Sequence, residues 1–312
     1  MTQKGLGVIA LSTAWYSRSK PRLAPTLEAI ARMGFEAVEI GVTGVVPFRM
    51  KEARKALKAT SLKVVSVHNI CTERKLEPSN RRGDWLASAD EEQRRQGVEA
   101  TLDSIANAKA LGASAVVLHL GATPVAESWE KQSALYRLVR EGAAAAVQLG
   151  VSREGILAER AAHAGAQLDA ACRSLAELLD RSSGVRLGIE CRLGWHELPS
   201  LDELGVLLDR FPNPRVGYWH DVGHAVVQDF LGLANQYDWL RRHGRRTLGI
   251  HVHDVRERTR DHYPPGLGEV DFGPLAALVP ADALCVMEIS ADFIAEEIAL
   301  SKRRLEEMGL WS

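Results

Sequence analysis

Four short runs near the ends of apolar segments carry side chains that bind cations or move protons: Gly188-Ile-Glu190, His220-Asp221-Val-Gly-His224, Ile250-His251-Val-His253-Asp254 and Met287-Glu288-Ile289. Two glutamates, an aspartate and an imidazole form a mixed oxygen and nitrogen donor set of the kind that suits Mn²⁺, Mg²⁺, Co²⁺ or Zn²⁺. No thiolate belongs to it, which argues against a closed structural zinc site. A carboxylate that ends an apolar run, as Glu190 and Glu288 do, is expensive to bury without a cation or a positively charged partner. Arg192 is one such partner for Glu190, because residues two apart on a strand share a face. His68, in Val67-His68-Asn69, and His119, in Leu118-His119-Leu120-Gly121, end two further runs. Taken singly, either imidazole reads as a hydrogen-bonded core or rim residue.

The positioning elements follow from an alternation of β-rich and amphipathic segments. Strands are predicted over 6–11, 37–40, 63–67, 115–120, 186–190, 216–219, 248–252 and 284–289, and helices over 23–33, 50–59, 90–111, 166–179, 201–211, 229–242, 273–279 and 293–308. Gly34, Gly112, Gly184 and Gly309 are natural stops. Eight strands alternating with eight helices predict an α/β fold, a single (β/α)8 TIM barrel over residues 1–312. One connection is long: residues 122–167 predict a helical insertion after strand four, with Ala-rich helices at 135–149 and 152–164. In a parallel barrel the strand C-termini share one mouth, so all the runs above would meet there.

Composition narrows the partners. The 312 residues carry a formal net charge of -1, with 46% hydrophobic and 25% charged residues, so no global field recruits nucleic acid or an anionic membrane. The acidic segments 73–77 and 90–92 argue the same way, against Arg81-Arg82 and the Arg256, Arg258, Arg260 series. Four scattered cysteines without a Cys-x-x-Cys pair are expected to be reduced. No basic-apolar leader and no apolar run of about 20 residues is present, which predicts a cytoplasmic protein with no membrane partner. Trp15, Tyr16, Trp195, Trp219 and Tyr263 lie at or beside strand tips, where flat rings suit the apolar faces of a sugar and packing under loops explains them equally.

Gly188-Ile-Glu190, Trp219-His-Asp221-Val-Gly-His224-Ala225, His251-Val-His-Asp254-Val, Asp261-His262-Tyr-Pro-Pro-Gly266-Leu-Gly268-Glu-Val-Asp271-Phe272 and Glu288, in that order, resemble the xylose-isomerase-like barrel superfamily. Its members include sugar isomerases and epimerases, inosose dehydratases and the endonuclease IV group of AP endonuclease family 2 barrels. The resemblance implies one divalent metal (Mn, Co, Mg or Zn) held by Glu190, Asp221, His251 and Glu288, with His253 as an alternative to His251. It implies no nucleotide cofactor. Glu190 and Glu288 would be the catalytic acid and base, moving a proton at the carbon beside a carbonyl while the metal polarises the carbonyl oxygen and stabilises a metal-bound enediolate. His68, His119, Arg192, His224, His253, Arg256 and His262 are the candidate substrate-binding residues, with His196 and Glu197 reaching in from the loop after strand five.

The function implied is therefore a divalent-metal-dependent isomerase or epimerase of a small polyhydroxylated carbonyl compound, a sugar or keto-polyol of carbohydrate metabolism, in a possible homo-oligomer. Alternatives are an inosose-type dehydratase, an endonuclease IV-like phosphodiesterase of DNA repair and a non-catalytic sugar-binding barrel. For the endonuclease, His68, His119 and His262 stand in suggestive places, but Arg260 falls where a carboxylate ligand belongs and Asp261 is shifted by one.

Overall fold

The structure is a computed structural model and describes residues 7–17, 22–41, 48–76, 84–141 and 152–309. Among the described residues, eight strands close a barrel: β1 (Ile9–Ser12), β2 (Ala37–Ile40), β3 (Lys63–His68), β4 (Ala115–Leu118), β5 (Arg186–Glu190), β6 (Val216–Asp221), β7 (Thr247–Val252) and β8 (Leu284–Met287). Strands adjacent in the chain are adjacent in the barrel, and β1 pairs in parallel with both β2 and β8. The predicted (β/α)8 TIM barrel is the fold observed. Register aligns the tips: Glu190 lies opposite Trp219, Asp221 opposite His251, and His251 opposite Val286. Two short antiparallel pairs extend beyond the tips, Gly121–Ala122 with Glu197–Leu198 and Asp254–Arg256 with Arg260–Tyr263.

Side chains alternate along a strand, so Gly217, Trp219 and Asp221 of β6 share the inward face. Trp219 is fully buried and packs with Ala10, Ala37, Ala115, Val117 and Val286. Barrel interiors are usually filled by layers of branched aliphatics. Here one indole takes that space, and its neighbours are small to admit it. A Cβ on Gly249 would stand 2.4 Å from Trp219 Cζ3, and one on Gly188 2.9 Å from Cε3. The ring therefore forms a floor beneath His251, with 5.3 Å between centroids, and is not one of the mouth-lining aromatics. Trp15 and Trp195 are also buried, their Nε1–H groups donating to Phe293 O and Ser128 O.

Six helices follow the predicted periodicity to within two residues: Leu23–Arg32, Met50–Thr60, Glu91–Leu111, Leu201–Arg210, Phe272–Leu278 and Ala295–Glu307. The connection after β4 contains Ser128–Glu141, which begins earlier than predicted, while residues 142–149 of the predicted 135–149 helix lie outside the described residues. The helices expected at 152–164 and 166–179 are one element, Arg153–Arg181, because Gly165 is tolerated in its interior. The segment predicted as a helix over 229–242 is divided. Val222–Phe230 starts directly at the tip of β6, Gly232 breaks the chain at φ +68°, and Asp238–His243 follows. Asp221 caps the first of these, accepting the His224 N–H at 2.7 Å, a cap hidden in sequence by the ligand reading of the same residue. All four cysteines are free and buried. Among the described residues no helix is long and apolar enough to cross a membrane.

Candidate metal centre

Three carboxylates converge on one imidazole nitrogen. Glu190 Oε1 lies 2.7 Å from His251 Nδ1, Glu288 Oε2 3.1 Å and Asp221 Oδ2 3.6 Å. Donor atoms of Glu190, Asp221, His251 and Glu288 all lie within 4.8 Å of one another, and the first three residues are buried. Burial works against a charged imidazole, but Glu288 and Glu39, with hydrogen bonds to Asp221 and Glu190, raise His251 well above its ordinary pKa. Burial alone would also raise the Asp221 carboxyl, which the imidazoles of His224, His253 and His251 hold well below the usual range. One carboxylate oxygen from each of three acidic residues and one imidazole nitrogen, all mutually close, form a donor set that fits a divalent cation in ligand type.

The histidines around Asp221 have assignable roles. His253 Nδ1 accepts the His262 backbone N–H at 2.9 Å, so its proton is on Nε2, which donates to Asp221 at 2.9 Å. Both ring nitrogens of this fully buried residue are thereby engaged. His224 Nδ1 donates to Cys191 O at 3.0 Å, leaving the Nε2 lone pair toward Asp261, whose Oδ2 is 3.7 Å away. These residues form a second group of possible ligands, Asp221, His224, His253 and His262, and His68, His119 and Glu190 form a third.

The third group already holds a cation. Arg192 NH1 lies 3.0 Å from Glu190 Oε2 and 2.5 Å from His119 Nε2, while its Nε and NH2 donate to Glu197 Oε1. His119 Nε2 is itself 2.6 Å from Glu190 Oε2, and His68 Nε2 is 3.8 Å away. Burial disfavours the Arg192 charge, yet Glu197 and Glu190 raise its pKa further. His68 is raised to about 9, Glu190 and Glu288 outweighing its burial.

On the other side the walls are lower. Glu288, Asp261 and His262 keep 14%, 20% and 28% of their side-chain surface, against 1% for Glu190. His262 Nε2 stands 3.7 Å from Glu288 Oε2, and Asp261 Oδ2 3.1 Å from His262 Nδ1. Arg260 turns outward and pairs with Glu257, so the one-residue shift does bring the Asp261 carboxylate inward. Asp254 anchors this side: its carboxylate accepts four backbone N–H groups, from Val255, Gly266, Gly268 and Val270, at 2.8 to 3.0 Å. Gly268 cannot carry a side chain, since a Cβ would meet Asp254 Oδ1 at 2.3 Å.

The structure thus brings together Glu190, Asp221, His251 and Glu288, with His68, His119, Arg192, His224, His253 and His262 around them. Arg256 is exposed at the rim, its guanidinium carbon 5.7 Å from the Tyr263 ring centroid. His196 is buried against Trp129 and Trp195. Arg81 and Arg82 lie outside the described residues. Sequence reasoning missed Glu39, a fully buried carboxylate in β2 whose Oε2 is 3.3 Å from His251 Nε2. The available signal was one acidic residue inside the apolar run Ala37-Val-Glu-Ile40.

A closed parallel barrel with carboxylates and imidazoles gathered at its strand tips defines a class of α/β barrel built around a candidate metal centre. Residues 27–306 match the xylose isomerase-like TIM barrels, and the chain belongs to that family. Solved structures share the fold at low identity. A D-tagatose 3-epimerase-like protein is 20% identical with a TM-score of 0.68 over 96% of each chain. The 3-keto-D-glucoside 4-epimerase YcjR from E. coli is 17% identical, with a TM-score of 0.65 over 96% of this chain and 98% of that one. The IolI protein with a bound zinc atom is 14% identical, with a TM-score of 0.63 over 97% and 98%. No curated protein matches by sequence.

Proposed function

We propose that the protein is a divalent-metal-dependent isomerase or epimerase of a small sugar or keto-polyol. The observation that carries this reading is the group Glu190, Asp221, His251 and Glu288, drawn from four consecutive strand tips with one donor atom of each within 4.8 Å of the others. Epimerases among the structural neighbours support it. When bound, the ion supplies an electrophile for a substrate carbonyl and so acidifies the adjacent C–H. Glu288, on the open side, takes that proton on a carboxylate oxygen. The C–H electron pair moves into the new C=C bond as the carbonyl oxygen gains charge, giving an enediolate. Glu190, relaying a proton from the charged His68 imidazole beside it, protonates the opposite face of that carbon, which inverts it without net oxidation or reduction. The His224 Nε2 lone pair and His262 are placed to orient substrate hydroxyls. Expulsion of a hydroxyl after the same abstraction would give the dehydratase variant.

A phosphodiesterase with several ions is the second reading, favoured by the two flanking ligand groups. Arg192 speaks against it, because its NH1 contacts both Glu190 Oε2 and His119 Nε2, two of the donor atoms that an ion of the third group would need. Elemental analysis of the purified protein beside Glu190→Gln and His251→Ala separates the readings. About one Mn, Co, Mg or Zn per chain, lost in both variants, with turnover on a ketose and keto-polyol panel, is the expected result. Two or three zinc ions per chain would favour the phosphodiesterase, and no ion under any loading condition would favour a sugar-binding barrel.

A further inference from the structure

We infer that Glu39 is a positioning residue for the metal centre, a role that rests on the centre proposed above: its carboxylate accepts the Nε2–H of His251 and so leaves Nδ1 free to hold the cation. Glu39 belongs to β2 and His251 to β7, strands that are not neighbours in the barrel, so the contact crosses the lumen. Glu39 shares the inward face with Ala37, which packs against Trp219.

The tautomer argument is strict. A neutral imidazole carries one N–H, and only the nitrogen without it can bind a metal. A proton on Nδ1 would point into Glu190, Asp221 and Glu288 and exclude the ion. A proton on Nε2 has Glu39 Oε2 waiting at 3.3 Å. Ser66, the register partner of Glu39 on β3, donates its hydroxyl to the same oxygen at 2.8 Å and pins the carboxylate. Among the described residues no Lys or Arg pairs with Glu39, and its Oε1 has no hydrogen-bond partner. A fully buried carboxylate so poorly compensated contributes little as a structural ion pair. Facing the far nitrogen of a ligand imidazole, it fixes the ring and increases its basicity.

The test is a titration of the chelator-treated protein with Co²⁺, following the visible d–d absorption and obtaining the dissociation constant by chelator competition. Glu39→Gln keeps the shape but offers an amide, and Co²⁺ affinity should fall about 10–100-fold. Glu39→Asp should recover part of that loss, and Ser66→Ala should weaken binding by a smaller factor. The melting temperature of the ion-free proteins serves as the control, because a merely structural residue would shift it while leaving affinity unchanged. Glu39→Gln binding Co²⁺ as tightly as the wild type would overturn the role. If Glu39→Gln fails to fold, equal affinities for wild type, Glu39→Asp and Ser66→Ala would overturn it instead. A wild type that takes up no Co²⁺ would defeat the metal centre itself, an outcome distinct from either.

Discussion

The two sides of the mouth are built differently. Around Glu190 the charges are matched at close range: the buried Arg192 spans the buried Glu190 and Glu197, and His119 and the partly exposed His68 close over them. Around Glu288 the residues stay partly exposed, and their support is a loop tied by backbone N–H groups to Asp254. The contrast teaches that a nearly symmetric pair of glutamates need not share a task. One is clamped in low-dielectric surroundings, and the other keeps contact with solvent.

The largest test removes the pair itself. Glu288→Gln and Glu190→Gln should each lower turnover at least about 10³-fold, some 4 kcal/mol of barrier, in a ketose epimerisation assay. Substantial activity in Glu190→Gln alone would mean that the open side works unaided, and in both would end the acid/base assignment. Arg192→Met probes the clamp. Leaving Glu190 and Glu197 buried without their cation should cost about 3–5 kcal/mol in urea unfolding. An unchanged midpoint would show that this side is no more locked than the other.

The clamp should also have a pH signature. His68, raised to about 9 in the folded chain from 6.5, stabilises the ion-free protein fully below about pH 6.5. That contribution disappears as the pH rises through 9, because the folded state must then release a proton the unfolded chain has already lost. The unfolding free energy from urea titrations should fall by an amount on the order of 3 kcal/mol between pH 6 and 10, and His68→Gln should flatten that slope. The smallest effect belongs to the open side. Asp254→Asn loses acceptors for two backbone N–H groups, costing about 2 kcal/mol. Hydrogen exchange should quicken at residues 264–270 and stay unchanged near Glu190; loosening on both sides would erase the distinction.

Much of this arrangement was legible in sequence because a parallel barrel brings every strand tip to one face. Glu190, Asp221 and Glu288 close apolar runs at neighbouring tips, while the choice of His251 over His253 came from the family resemblance. Trp219 could have been read more deeply: two residues before Asp221 on the same strand, it must share the inward face one layer down. Glu39 was hidden because its partner is 212 positions away across the lumen, a distance no local pattern encodes. The division of 229–242 was missed because Asp221 serves both as candidate ligand and as helix cap, and the sequence displays only the first role plainly.

The indole at the floor has a consequence for how such a chain can change over generations. Gly188, Gly249 and Trp219 interlock, so a larger residue at either glycine is tolerated only with a smaller one at 219. Drift there must be concerted, and sequences descending from this one should vary at these positions together or not at all. The height of His251 above the floor is then inherited as a unit, while the rim loops remain free to vary.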